Sequence, residues 1–110
     1  MQIDTKEIGK ATLLQVSGEV DMSNSPQVRE KLIGFIKKKA PAILVDLGGV
    51  TYMDSSGIAT LVEGLQETMG YGGKFRLVSL TPKVRQVFDL ARLTDVFEIY
   101  PDLPSAQEGL

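Results

Sequence analysis

Met53-Asp54-Ser55-Ser56-Gly57 sets two adjacent hydroxyls behind a carboxylate, where a buried strand hands over to an amphipathic helix. An exposed serine at a helix start invites the idea of a nucleophile, yet nucleophilic serine needs a neighbouring base, most often imidazole. The chain of 110 residues has no histidine and no cysteine. Lys74 and Lys83 could reach the pair only through the fold, so an acyl hydrolase built on Ser55 or Ser56 lacks an evident general base. What remains natural for such a serine is to receive a phosphoryl group, because the free N–H groups and positive dipole end of a helix tolerate an anion. The purely structural alternative is capping, since Asp and Ser are preferred helix N-caps.

Other residue sets carry less chemistry. Asp46, Asp54 and Glu19 suggest a magnesium-binding carboxylate cluster of the receiver type, but that needs an acidic pair after the first strand and a lysine after the last, and the spacing is wrong. Tyr52 and Met53 are expected to pack in the core, and Thr81 to cap a helix. Without cysteine or histidine, disulfides, thiolate chemistry and the usual transition-metal sites are removed, and no cofactor is expected.

Hydrophobic residues make up 43% and charged residues 24%, an ordinary globular balance, and the length suits one two-layer core, so residues 1–110 are expected to form a single domain. A net charge of -2 lacks the electrostatic footprint of a nucleic-acid binder. Lys37-Lys38-Lys39 reads as a solvated helix end. No apolar stretch approaches the roughly 20 residues that span a bilayer, and no leader pattern opens the sequence, so a cytoplasmic location and no membrane span are expected.

The elements that must position the serines are set by periodicity. Ile3 to Ile8 and Thr12 to Ser17 read as a hairpin turning at Gly9-Lys10, with Gly18 ending the second strand. Ser25 as N-cap and Pro26 as first helical residue open a helix with Val28, Leu32, Phe35 and Ile36 on one stripe, stopped by Pro41. Ala42 to Val45 is the core strand, broken at Gly48-Gly49, with Val50 to Met53 leading out. Ile58, Leu61, Val62, Leu65 and Met69 form a second stripe. Phe75 to Val78, a helix capped by Thr81-Pro82 with Val84, Val87, Phe88 and Ala91, a strand from Phe97 to Tyr100 and a short helix at Asp102 to Pro104 complete the chain.

This order is an α/β fold: an antiparallel hairpin followed by parallel βαβ units, about five strands in a mixed sheet with about four helices. Loops 18–25, 48–56, 79–81 and 101–103 then share one edge of the sheet, the edge where open α/β sheets usually gather function.

Gly18-Glu19-Val20-Asp21, Val50 to Ile58, Leu80 to Arg85 and Phe88-Asp89-Leu90, in that order and spacing, resemble the STAS domain, specifically the bacterial anti-sigma factor antagonists. Many relatives carry a second glycine two residues after the first, for closer backbone packing, where this chain has Ala59. The resemblance implies the STAS fold, no catalysis by the domain, and partner switching. The unmodified antagonist binds an anti-sigma factor that is itself a serine/threonine kinase and so frees a sigma factor. Phosphorylation, which maps to Ser55, releases it, and a metal-dependent serine phosphatase resets the cycle.

Asp54 would orient the loop, and partner contacts are expected at Asp21, Ser23, Asn24, Asp54, Ser55, Ser56, Gly57 and Thr81, in a protein that is monomeric when free. A phosphate brings roughly -1.5 to -2 charge. At an exposed helix N-terminus it gains only about 0.3 to 1 kcal/mol, so its effect is expected at an interface rather than on folding. The competing expectation is a non-switching STAS scaffold or accessory subunit of a transport or stress-sensing complex.

Overall fold

A mostly polar run with Ile3 and Ile8 partly buried forms β1 (Gln2–Ile8), which turns at Gly9 and runs back as antiparallel β2 (Ala11–Val20) in the computed structural model, which describes residues 1–110. The chain continues through α1 (Ser25–Lys37), β3 (Ala42–Met53), α2 (Ser55–Gly70), β4 (Lys74–Val78), α3 (Pro82–Leu90), β5 (Glu98–Tyr100) and α4 (Leu103–Ala106). The sheet order is β1-β2-β3-β4-β5, with β2 to β5 mutually parallel. The mixed five-stranded sheet with four helices is the architecture expected from the element order.

Both central strands run further than their glycines suggest. Gly18 does not end β2: at φ +89° it sits beside a register shift in the β2–β3 pairing, and the strand continues to Val20. A bulge absorbs the unusual dihedral without breaking the ladder. Gly48-Gly49 likewise does not break β3. A Cβ at Gly49 would lie 2.8 Å from Ser17 Cβ, so glycine there lets the two backbones approach. β3 pairs with β4 only over Ala42 to Asp46, and its continuation to Met53 is held by β2. The loops expected at 18–25 and 48–56 are correspondingly short.

Helices α1, α2 and α3 lie on one face of the sheet, where Val28 and Leu32, Ile58, Leu61 and Leu65, and Val84 and Phe88 join Val45, Leu47, Phe75 and Leu77 in the main core. Met69 is not on the buried stripe: it is exposed, and buried Thr68 turns inward instead, its Oγ1 donating to the Gly64 carbonyl at 2.7 Å. Phe97 precedes β5 rather than opening it and packs edge-on against Phe88, with ring centroids 5.5 Å apart.

The opposite face carries a smaller cluster, Ala11, Leu13, Ala42, Leu44, Val78 and Ala106, covered by the single turn of α4 and the residues after it. Arg76 fastens that cover. Buried in β4, it donates to the carbonyls of Ala106 and Glu108 at 3.0 and 2.7 Å, lies 3.3 Å from the Glu98 carboxylate, and stacks its guanidinium over the Tyr100 ring.

Candidate functional site

Val20 and Met53 are register partners at the ends of β2 and β3. Past each, the chain makes the same turn. Asp21 Oδ1 accepts hydrogen bonds from the Ser23 amide at 2.9 Å and the Ser23 hydroxyl at 2.5 Å. Asp54 Oδ1 accepts from the Ser56 amide at 2.9 Å and the Ser56 hydroxyl at 2.5 Å. Such Asx turns form because a short carboxylate reaches its own backbone two residues on. The Asp54 amide donates to the Val20 carbonyl at 3.1 Å and joins the two turns side by side.

Beyond their serines the two turns diverge. Asp54 is the N-cap of α2 and also accepts from the Gly57 amide at 3.3 Å, meeting two of the orphan donors of that helix. Its carboxyl is held below the usual 3.8, first by the Ser56 hydroxyl, with desolvation opposing and the amides of Gly57, Ser56 and Met22 adding to the stabilisation of the charged form. At α1 the N-cap is Asn24 and not Ser25, which is buried as the first helical residue. The Asn24 side chain caps nothing: its Oδ1 accepts from the Asp21 amide and its Nδ2 donates to the Glu19 carbonyl, both at 2.9 Å, so it locks the turn to the strand end.

The two adjacent serines are therefore unlike. Ser56 is half-buried with its hydroxyl tied to Asp54, whereas Ser55 is exposed and its hydroxyl makes no hydrogen bond. Ser55 is the first residue of a 16-residue helix whose N-terminal dipole it meets. Gly57 is buried and faces no solvent, so its part is packing: a Cβ there would lie 2.7 Å from Met53 Cγ and 3.0 Å from Val20 Cγ1. Thr81 stands apart from the turns. It caps α3 by accepting from the Val84 amide at 3.3 Å, and its hydroxyl lies 3.5 Å from the Val50 carbonyl, three residues before Met53.

Asp46 accepts from the Gly48 amide at 2.8 Å, and Asp46, Asp54 and Glu19 do not converge into a metal-binding group. Ala59 is exposed, so the missing second glycine removes no backbone packing. Tyr52 departs from the expectation that it packs in the core: it is 46% exposed. Met22, which hydrophobic period alone does not single out, is 77% exposed at the tip of the first turn. The repeated Asp-x-Ser of Asp21-Met22-Ser23 and Asp54-Ser55-Ser56 is the sequence signal that marks that tip. A cleft of about 590 Å³ lies at the opposite end of the strands, lined in part by Lys6, Lys10, Phe35 and Lys38.

The sequence profile of the STAS domain matches residues 2–106. The chain is 28% identical over 99 residues to the anti-sigma-B factor antagonist of Bacillus subtilis, covering 90% of each protein. Its fold is similar to that of an anti-sigma factor antagonist from Mycobacterium paratuberculosis, with a TM-score of 0.88 at 26% identity over 96% of this chain and 89% of the other. It is also similar to the anti-sigma factor antagonist SpoIIAA in its unphosphorylated form, with a TM-score of 0.83 at 22% identity over 96% and 92% of the two chains. The Bacillus SpoIIAA structure in its phosphorylated form gives a TM-score of 0.77 at 21% identity over 96% of both chains.

Proposed function

The chain belongs to the STAS domain family, and from that premise we propose that it is an anti-sigma factor antagonist whose grip on its partner is switched off by phosphorylation of Ser55. The reading makes residues 1–110 one domain that works in the cytoplasm as a binding protein and never as an enzyme. The partner is an anti-sigma factor with serine/threonine kinase activity, and a metal-dependent serine phosphatase restores the binding form. The observation that carries the reading is the asymmetry of the serines: Ser55 offers a free, exposed hydroxyl, while the Ser56 hydroxyl is engaged by Asp54. A kinase can take the first without dismantling the cap.

The effect of the phosphate falls on the interface and not on the fold. Ser55 sits at the start of α2, where an anion meets the favourable end of the helix dipole. SpoIIAA keeps a fold of this kind in both its forms. Asp21 and Asp54 already make this edge acidic, so a further charge of roughly -1.5 to -2 opposes a partner surface fitted to a neutral hydroxyl. Like-charge juxtaposition can cost several kcal/mol, and about 4 kcal/mol is a thousandfold in affinity.

The experiment is intact-mass analysis with site mapping after incubation with ATP and each purified anti-sigma kinase of the source genome. A single phosphate on Ser55, absent in Ser55→Ala and accompanied by release of the kinase, is the expected result. Stable binding with no phosphate under any kinase would replace the switch by the scaffold reading.

A further inference from the structure

Six large apolar side chains stand exposed, and two of them, Met22 and Tyr52, lie within two residues of the Val20–Met53 register pair. Met22 takes in the first turn the place that Ser55 takes in the second, between the aspartate and its serine. The turn is held by Asp21, Ser23 and Asn24, so its geometry asks nothing of the Met22 side chain, and that side chain joins neither hydrophobic cluster. At 77% exposure it buries little of its surface against the fold. Its main chain is nonetheless fixed beside the switch, because its amide is among those that hold the Asp54 carboxyl ionised.

The charged side chains of the two turns are all acidic. Residues 18–25 and 52–57 carry Glu19, Asp21 and Asp54 and no lysine or arginine, a local charge of -3. Arg29, the next cation along α1, is committed to Glu63 at 2.6 Å. A flexible apolar side chain inside an acidic rim is complementary to an apolar pocket edged with basic groups. Interface cores are enriched in methionine, and charge complementarity sets which partner is accepted.

Resting on the partner-switching reading above, we infer that Met22 is the apolar anchor of this protein's docking surface, seated in a basic-rimmed pocket of the anti-sigma factor. A phosphate on Ser55 would take the charge of the edge from -3 to roughly -5, and the pocket's rim would have to match it while the anchor is still being desolvated. The anchor supplies grip and the neighbouring hydroxyl decides whether the grip can form.

The test measures dissociation constants of wild type, Met22→Ala, Met22→Leu and Ser55→Asp against each purified anti-sigma kinase of the source genome, without ATP, alongside their melting temperatures. The anchor predicts that Met22→Ala weakens binding about tenfold or more, while Met22→Leu stays within about threefold because volume-conserving apolar swaps are tolerated best, with all melting temperatures unchanged. Wild-type affinity in Met22→Ala, together with release of Ser55→Asp, would overturn the anchor and leave the switch standing. A wild-type protein that binds none of the kinases would overturn the switch and the anchor with it.

Discussion

Two turns of one design stand side by side at the ends of β2 and β3, and they do different work because of where the next helix begins. After Asp54 the helix starts at once, so the carboxylate caps it, the first residue is exposed, and the hydroxyl of that residue meets the dipole. After Asp21 the helix is delayed to Ser25, Asn24 ties the turn to Glu19, and the middle residue is an exposed methionine two residues before the cap. The register of a helix start therefore decides whether the middle residue of an Asp-x-Ser turn is the first residue of a helix or lies before its cap.

The sharpest way to break this contrast is to place charge at the second turn. Ser55→Asp is expected to weaken partner binding by at least about tenfold, given the several kcal/mol that like-charge contacts can cost, with little change in melting temperature. A calorimetric titration beside a thermal melt reads both. Loss of stability with binding intact would mean that Ser55 belongs to the fold and not to the interface.

Swapping the fourth residue of the turns should come next in size. Gly57→Asn, which puts the residue of the first turn into the second, drives a Cβ against Met53 and Val20. It is expected to destabilise by about 1–3 kcal/mol, the usual range for overpacking a core, measured by urea unfolding.

Acid should act on the second turn more gently. The pKa of Asp54 is depressed, chiefly by the Ser56 hydroxyl, so the native state holds its proton more weakly than the unfolded chain. The resulting stability is present above about pH 4 and is lost as pH falls through the lowered native value. Asp54→Asn should flatten that acid limb in a pH series of melts.

The smallest effects fall on the hydroxyls themselves. Ser55→Ala should leave stability within about 0.5 kcal/mol, as for surface positions without partners. Ser56→Ala should be the more costly of the two and should move the Asp54 carboxyl back towards 3.8, visible by NMR titration of the side chain. Equal effects of the two substitutions would erase the distinction between the serines.

Much of this architecture is legible in the chain alone. Element order, the parallel sheet, the cap at Asp54 and the cap at Thr81 all come from hydrophobic period and capping chemistry. What escapes is tertiary. Glycines read as strand ends at Gly18 and Gly48-Gly49 because a local rule cannot know that Ser17 presses against Gly49, or that a bulge accommodates the positive φ of Gly18. Ser25 suits a cap by type, yet it is buried inside the first turn of α1, and Asn24 before it spends its amide on Glu19 and Asp21. Tyr52 and Met69 look like core residues by type, yet β3 runs past its β4 partner before Tyr52 and Thr68 turns inward in place of Met69, and both stand in solvent. Of the expected contact residues, Gly57 is packed away and Thr81 sits at Val50, neither of which spacing alone could tell.

The Arg76 clasp on the far face has a kinetic consequence. Guanidinium keeps its charge in acid, so the two carbonyl contacts of Arg76 persist while protonation of Asp102, whose carboxylate caps α4 through the Ser105 amide, loosens the helix. The cover rests on a cluster of only six buried residues. Segments with so few buried contacts open at free energies well below global unfolding. In hydrogen exchange the amides of residues 103–110 should therefore exchange long before those of α2, and at a rate that ignores the phosphorylation state of Ser55, because β3 and the main core stand between the cover and the switch.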